Sequence, residues 1–275
     1  RINSFEVGPD RRLRLSNQLK FQQEVGELHL SAGGLSYDEL YRHGMAFVLT
    51  RLHTVIHRAP LLGEQVRLRT WHRDSKRAQF FRCYQFLDQE GRTLIDSVTA
   101  VALVDVKDHK LLRPTVFEQF GLAEQPDRRG NCGDPAKLRP PAGLAAAGER
   151  TVHWSDIDCN GHLNNTVYAD IACDHLPGGM EGKRIAEASI AFVHEAMVSR
   201  RFCLPVPLSF QMRCTSPFAA GLGKYIPANV PSVRSSASGQ RDGSSVIVHS
   251  IKLPPFLSTN KNIIAQFFPA FNDLA

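Results

Sequence analysis

No apolar run in this chain of 275 residues approaches the roughly 20 consecutive positions needed to span a bilayer, so no membrane span is expected. Cysteine is sparse and scattered. The six, Cys83, Cys132, Cys159, Cys173, Cys203 and Cys214, include no C-x-x-C pair, which argues against a zinc ribbon or a dense disulfide framework. A reducing cytoplasm is the simplest setting. The chain opens Arg1-Ile2-Asn3-Ser4-Phe5 without an initiator Met or an apolar signal region, so a fragment or a processed form lacking a secretion address is expected. Acidic residues almost vanish beyond Met197: no glutamate follows, and Asp242 and Asp273 are the only acids.

What is present describes a soluble globular protein, with 43% hydrophobic and 22% charged residues, long enough for one large or two modest domains. The net charge of +6 and pI near 9.1 favour acidic partners. No recognisable nucleic-acid motif or interleaved aromatic series accompanies the basic residues, so no nucleic acid is expected; an acidic protein is equally compatible with the charge.

Ser16 can cap a helix from about Asn17, with Phe21, Val25 and Leu28 on one face, ended by Gly33-Gly34. Ser36 opens a shorter helical segment through Leu40 and Tyr41, closed by Gly44. Strand patterns follow at 46–57, 65–72, 78–87 and 93–105, with Asp88-Gln89-Glu90-Gly91 as a turn. In the second strand Val66, Leu68 and Thr70 alternate with Arg67, Arg69 and Trp71. A helix followed by an antiparallel meander predicts an α+β fold. Proline and glycine then collect between Gln125 and Gly148, which reads as a linker. The expected domains are 1–125, a linker at 126–148 and 149–275. In the second domain we expect a strand at 150–154, a helix at about 165–175 and a strand at 185–196. Helix followed by strand thus occurs twice, suggesting two related halves, although identity between them is too slight to prove duplication. Further strands are candidates at 204–212 and 245–253. The Ser/Gly/Arg-rich run 232–245 offers little to a core, and we expect residues beyond about 215 to be poorly packed. A divergent final pair of strands around Val246-Ile247-Val248 is the rival, and an altered reading frame is one origin for so atypical a tail.

The chemistry concentrates in Val152-His153-Trp154-Ser155-Asp156-Ile157-Asp158-Cys159-Asn160-Gly161-His162-Leu163-Asn164-Asn165. Asp158, Asn160 and His162 alternate, which aims them to one side of an extended backbone. A carboxylate, an amide and an imidazole can orient one another and move a proton near neutral pH. Asn164 or Asn165 can cap the helix that follows, whose free N–H groups could polarise a carbonyl. The bland alternative is a solvated loop with a cap and a surface histidine; the residues alone leave both open. A metal site from His153, Asp156, Asp158 and His162 has the right residue types but no strong ligand spacing, and neither a metal nor a cofactor is expected. His175 and His194 read as surface or satisfied interior residues.

This motif, with Arg58-Ala59-Pro60, Gly63-Glu64, Thr70-Trp71, the turn at Gly91 and Leu103-Val104-Asp105, resembles the acyl-ACP thioesterases over about residues 5–200. The resemblance implies a tandem double hotdog, each half a long helix wrapped by an antiparallel sheet. It implies hydrolysis of a fatty acyl thioester on acyl carrier protein, with Asp158, Asn160, His162 and Glu195 at the catalytic positions. Many plant members place a cysteine after that glutamate. Here Ala196 stands there, which removes a cysteine nucleophile at that position, and Cys159 is expected to pack away from the motif's polar side. An acyl-CoA thioesterase, another hotdog enzyme or a non-catalytic acyl-binding module are the alternatives, and monomer and homodimer both stay open. The group Arg67, Arg69, Arg73, Lys76, Arg77 and Arg82 is expected to be a solvated sheet face, or else the face that receives the acidic carrier.

Overall fold

The computed structural model describes residues 1–138, 150–176 and 178–192, and the backbone of 208–215 and 246–247. Its first long element is helix α1 (Leu15–Ala32), which starts two residues before the expected Asn17 and follows an extended Arg14. The face it buries also differs from expectation. Leu28 is 58% exposed, whereas Gln18 and Gln22 are buried at 1% and 2%. The cause lies in the sheet beneath. Gln18 Nε2 donates to Thr54 Oγ1 at 2.8 Å, Gln22 Nε2 to Ser97 Oγ at 2.7 Å, and Ser97 Oγ to Thr54 Oγ1 at 2.6 Å. Hydrogen bonding removes most of the cost of burying the amides.

Helix α2 (Tyr37–Arg42) begins where expected, Ser36 Oγ accepting from the Glu39 N–H at 3.2 Å. Strands β1 (Met45–Ile56), β2 (Arg67–Lys76), β3 (Gln79–Leu87) and β4 (Thr93–Asp105) form the expected meander. The second half contributes α3 (Val167–Asp174), β5 (Arg184–Phe192), β6 (Leu208–Thr215) and β7 (Val246–Ile247). All seven strands form one antiparallel sheet, ordered β2-β3-β4-β1-β5-β6-β7. The halves join at β1 and β5, where Leu52 lies opposite Ile190. Above that seam Leu15 and Leu19 of α1 pack with Tyr168 and Ala169 of α3. The architecture is α+β, with the two helix-on-sheet halves expected of a tandem hotdog.

The candidate strands at 204–212 and 245–253 appear as β6 and β7, and Ile247 and Val246 pair with Arg213 and Cys214, as the rival reading of the tail had it and against the expectation of poor packing beyond about 215. The Ser/Gly/Arg-rich run 232–245 lies outside the described residues. No helix among the described residues is long and apolar enough to cross a membrane.

The segment expected to be a linker crosses the outer face of the first sheet in its early part. Trp71 Nε1 donates to Arg128 O at 2.8 Å, and the Arg128 guanidinium lies 4.2 Å from the Trp71 ring centre. Cys132 is buried with Trp71, Phe81, Cys83, Val98 and Ala100. Arg73 donates to Asp74 at 2.9 Å and to Asp134 at 2.6 Å, and is only 2% exposed. Arg82 is half-buried on the opposite, inner face. These two arginines are therefore not on a solvated face; Arg67, Arg69, Lys76 and Arg77 are exposed.

The two halves share one repeated turn. Glu6 and Asp156 each end a short 3-10 turn, and Val7 bridges Leu13 as Ile157 bridges Leu163, each member 150 positions from its counterpart. The hydrogen bonds repeat as well. Gly8 N donates to Arg12 O at 2.8 Å and Asp158 N to His162 O at 3.0 Å. Arg14 N donates to Glu6 O at 3.1 Å and Asn164 N to Asp156 O at 2.9 Å. The strand expected at 150–154 is consequently absent, its place taken by irregular backbone leading into the 3-10 turn at Trp154–Asp156.

Candidate active site

The three motif residues are not displayed along an extended strand. They sit on a tight turn closed by Asp158 N to His162 O and by Gly161 N to Asp158 O, both 3.0 Å. Gly161 holds φ at 81°, where a side chain would be strained. The turn faces Asp158 and His162 toward each other, Oδ1 to Nδ1 3.6 Å, with both side chains largely shielded. Asp158 Oδ1 also accepts from the Asn160 N–H at 2.9 Å. Cys159, expected to pack, is exposed at the corner of the turn.

Asn160 has a partner no local pattern announces. The Tyr37 hydroxyl, at the start of α2, donates to Asn160 Oδ1 at 2.6 Å. Burial, with Cys159, Tyr41 and Asp158 nearby, pushes the Tyr37 hydroxyl above its usual 10.0, so it remains a donor at neutral pH. With its oxygen so occupied, the Asn160 amide has its NH₂ end left to donate elsewhere. Beyond the turn, Asn164 rather than Asn165 organises the helix start: its Oδ1 accepts from Thr166 N at 2.9 Å and from Thr166 Oγ1 at 2.7 Å. The Asn165 N–H makes no hydrogen bond among the described residues.

A cavity of about 240 Å³ connects this turn to the first half. Asp158, Asn160, Asn165 and Thr166 line one part of it with Tyr37 and Phe192. Leu19, Leu52, Phe47 and Leu40 line the middle, under α1 and over the inner face of the sheet. A polar cluster therefore opens on an apolar slot, the usual form of a site for a ligand with one reactive end.

Glu195 lies outside the described residues, as does His194. His175 is a satisfied helix-end residue, its Nδ1 2.9 Å from Ile171 O. The four residues of the metal alternative do not converge: Asp156 turns to Arg150 at 2.7 Å and to the His153 N–H at 2.9 Å. Among the described residues no group of three or more His, Cys, Asp or Glu side chains is placed to hold a metal ion. One further constellation resembles a nucleophile with its base. Cys132 Sγ is 3.5 Å from His53 Nδ1, and His53 Nε2 is 3.0 Å from Glu187 Oε1. Burial first, then the Asp96 carboxylate, pushes the Cys132 thiol up to about 12, so it stays a thiol, packed against Trp71 and Phe81.

Two family models match the chain: the acyl-ACP thioesterase N-terminal domain over residues 1–116 and the C-terminal domain over 145–200. A chloroplastic acyl-[acyl-carrier-protein] hydrolase of Cuphea viscosissima is 24% identical over 193 residues, covering 64% of this chain and 46% of that one. A chloroplastic palmitoyl-acyl carrier protein thioesterase of Arabidopsis thaliana is 26% identical over 218 residues, covering 70% and 50%. The chain thus spans about half the length of the curated relatives it matches. Among solved structures, an acyl-ACP thioesterase from Bacteroides thetaiotaomicron superposes with a TM-score of 0.65 at 19% identity, covering 78% of this chain and 89% of that one. The 12:0-ACP thioesterase of Umbellularia californica gives 0.60 at 20%, covering 79% and 86%. At those identities the likeness establishes the fold.

Proposed function

The chain belongs to the acyl-ACP thioesterase family, and on that premise we propose that it hydrolyses the thioester of a fatty acyl-[acyl-carrier-protein], releasing the free fatty acid and ending chain synthesis. The observation that carries this reading is the placement of Asp158 and Asn160, with His162 3.6 Å from Asp158, along a cavity whose remaining wall is largely apolar.

The chemistry follows from those groups. Water oxygen adds to the thioester carbonyl carbon while the His162 imidazole takes a proton from it. The carbonyl oxygen becomes an oxyanion, to which the Asn160 NH₂ and the Asn165 N–H are the donors. The C–S bond then breaks, the proton passes to the departing thiolate, and acid and thiol are formed. Asp158 orients and stabilises the imidazolium; with Oδ1 already bound to the Asn160 N–H at 2.9 Å, orientation suits it better than direct attack. Glu195 is given the second carboxylate's role of polarising water.

The carrier, an acidic protein, would meet the exposed Arg67, Arg69, Lys76 and Arg77. We place the reaction in the reducing cytoplasm, in keeping with four described cysteines of which none is in a disulfide. The test is release of thiol and free acid from medium- and long-chain acyl-ACP, with the matching acyl-CoA as comparison. Turnover on acyl-ACP that falls on His162→Ala supports the reading. A folded chain that cleaves neither thioester defeats it.

A further inference from the structure

Of the elements that line the cavity, α2 is tied down least. The strands are bonded into the sheet, and α1 is bonded to that sheet through Gln18 and Gln22. Among the described residues, the backbone groups of 36–43 form backbone hydrogen bonds only with one another and with the Gly44 N–H. A helix of six residues does not persist alone. Leu40 is its one buried residue. Side chains hold its two ends: the Tyr37 hydroxyl bonds Asn160, and the His43 ring lies edge-on to Phe120, centres 5.2 Å apart.

The wall that α2 makes is thin. Leu35, Ser36, Tyr37 and Leu40 line the cavity, yet Tyr37 is also 47% exposed. A single side chain therefore stands between the slot and solvent, beside Asp158 and Asn160. The flanks suit a hinge. Leu35 and Met45 are buried at 2% and 4% and anchor the segment. Between them Gly44 holds φ at 72°, and a Cβ there would meet nothing within 4 Å, so the backbone is free to turn.

Resting on the hydrolase reading above, we propose that α2 is a lid on the acyl slot, shut by the latch from Tyr37 to Asn160. It lifts, turning at Gly44, to let the acyl chain in and out. Opening so lightly held a segment costs far less than unfolding the whole chain. The latch also couples closure to chemistry. While it is made, the Asn160 oxygen has its donor and the NH₂ end is left for the oxyanion. The site is thus completed after the acyl chain is enclosed, and not before.

The test is the rate of ligand exchange on the whole chain, followed by stopped flow with a polyene fatty acid whose fluorescence changes on leaving water. Tyr37→Phe keeps the ring that lines the slot and removes the latch. The bond is lost from the free and the bound closed states alike. Binding and release should therefore both quicken by roughly 3- to 10-fold, with Kd unchanged. His43→Ala loosens the other end of α2 at a residue that does not line the cavity, and should quicken both by roughly 2- to 10-fold. Rates that stay at the wild-type values in either variant overturn the proposal. So does a change in release alone, the mark of a fixed wall touching the acid, and so does an acid that does not bind. Failure of the hydrolase reading looks different: exchange quickens as expected, but no acyl thioester is cleaved.

Discussion

The Tyr37 hydroxyl and the Asn160 side chain, 123 positions apart, meet in a 2.6 Å hydrogen bond that ties the start of α2 to the turn of the second half. The bond fixes which end of the Asn160 amide is available to a substrate. Tyr37→Phe should therefore lower kcat by roughly 3- to 10-fold, the worth of one ordinary hydrogen bond, with little change in KM for the acyl chain. Tyr37 is 47% exposed, so thermal stability should hold. Steady-state kinetics beside a melting curve check both; a matching fall in Tm would reassign the bond to structure.

His162→Ala should lower turnover by roughly 10²- to 10⁴-fold, the range for a general base, in a protein that folds as before. His162 stands on the turn with a side chain 20% exposed, and its backbone oxygen, which closes the turn, survives the substitution. Near-normal hydrolysis by the folded variant would take His162 out of the chemistry.

Much of this site was legible from spacing. The motif's polar residues do converge, and strands β1 to β4 fall where alternation puts them. The reason for the convergence differs: a tight turn, not an extended strand, brings Asp158 to His162. Tyr37 was hidden because its partner is distant in sequence, which no local period can reveal. The buried face of α1 was misjudged because Gln18 and Gln22 look like solvent-facing residues until Thr54 and Ser97 supply partners. On β2 the arginines Arg67, Arg69 and Arg73, which share a face with Trp71, read as solvated. The tryptophan was the warning, since a cover crosses that face from Trp71 onward and leaves only the first two arginines bare.

That cover separates a buried arginine from the exposed ones. Arg73→Met would leave Asp74 and Asp134 with only the exposed Lys76, 3.3 and 3.7 Å away, and should destabilise the fold by about 3 kcal/mol, the low end for a broken buried pair because Lys76 remains and Asp134 is 41% exposed. Chemical denaturation measures it. Arg69→Glu with Arg77→Glu should leave stability nearly unchanged but raise KM for acyl-ACP more than for acyl-CoA. The difference should shrink as salt shortens the Debye length from about 10 Å at 0.1 M to about 3 Å at 1 M. Equal effects on the two substrates would exclude a carrier-docking role for this face.

Stability should also fall in mild acid through His72. Burial pushes its pKa below 6.5, and the nearby Arg82 adds to this while Glu124 opposes it. The unfolded chain then takes up a proton more readily than the folded one. Its contribution is complete above 6.5 and is lost as pH drops from there through the lower folded value. His29, lowered by burial and by Arg82, acts with the same sign. Tm followed from neutral pH to about pH 5 should decline, and His72→Asn should flatten part of that decline. An identical slope in the variant would discount His72.

Two identical hotdogs related by a symmetry axis must each do everything, because any change in one appears in the other. Joining the copies in one chain lifts that constraint, and the repeated turn records what followed. Where the second copy presents Asp158, Asn160 and His162, the first presents Gly8, Asp10 and Arg12, and Arg12 there bridges Leu61 to pin down a surface loop. The first half gives its interior to the cavity, through α1, β3 and β4, while the second half contributes the turn of Asp158, Asn160 and His162. On the proposed hydrolase reading an active-site titration should then count a single equivalent per polypeptide, although the fold contains the turn twice.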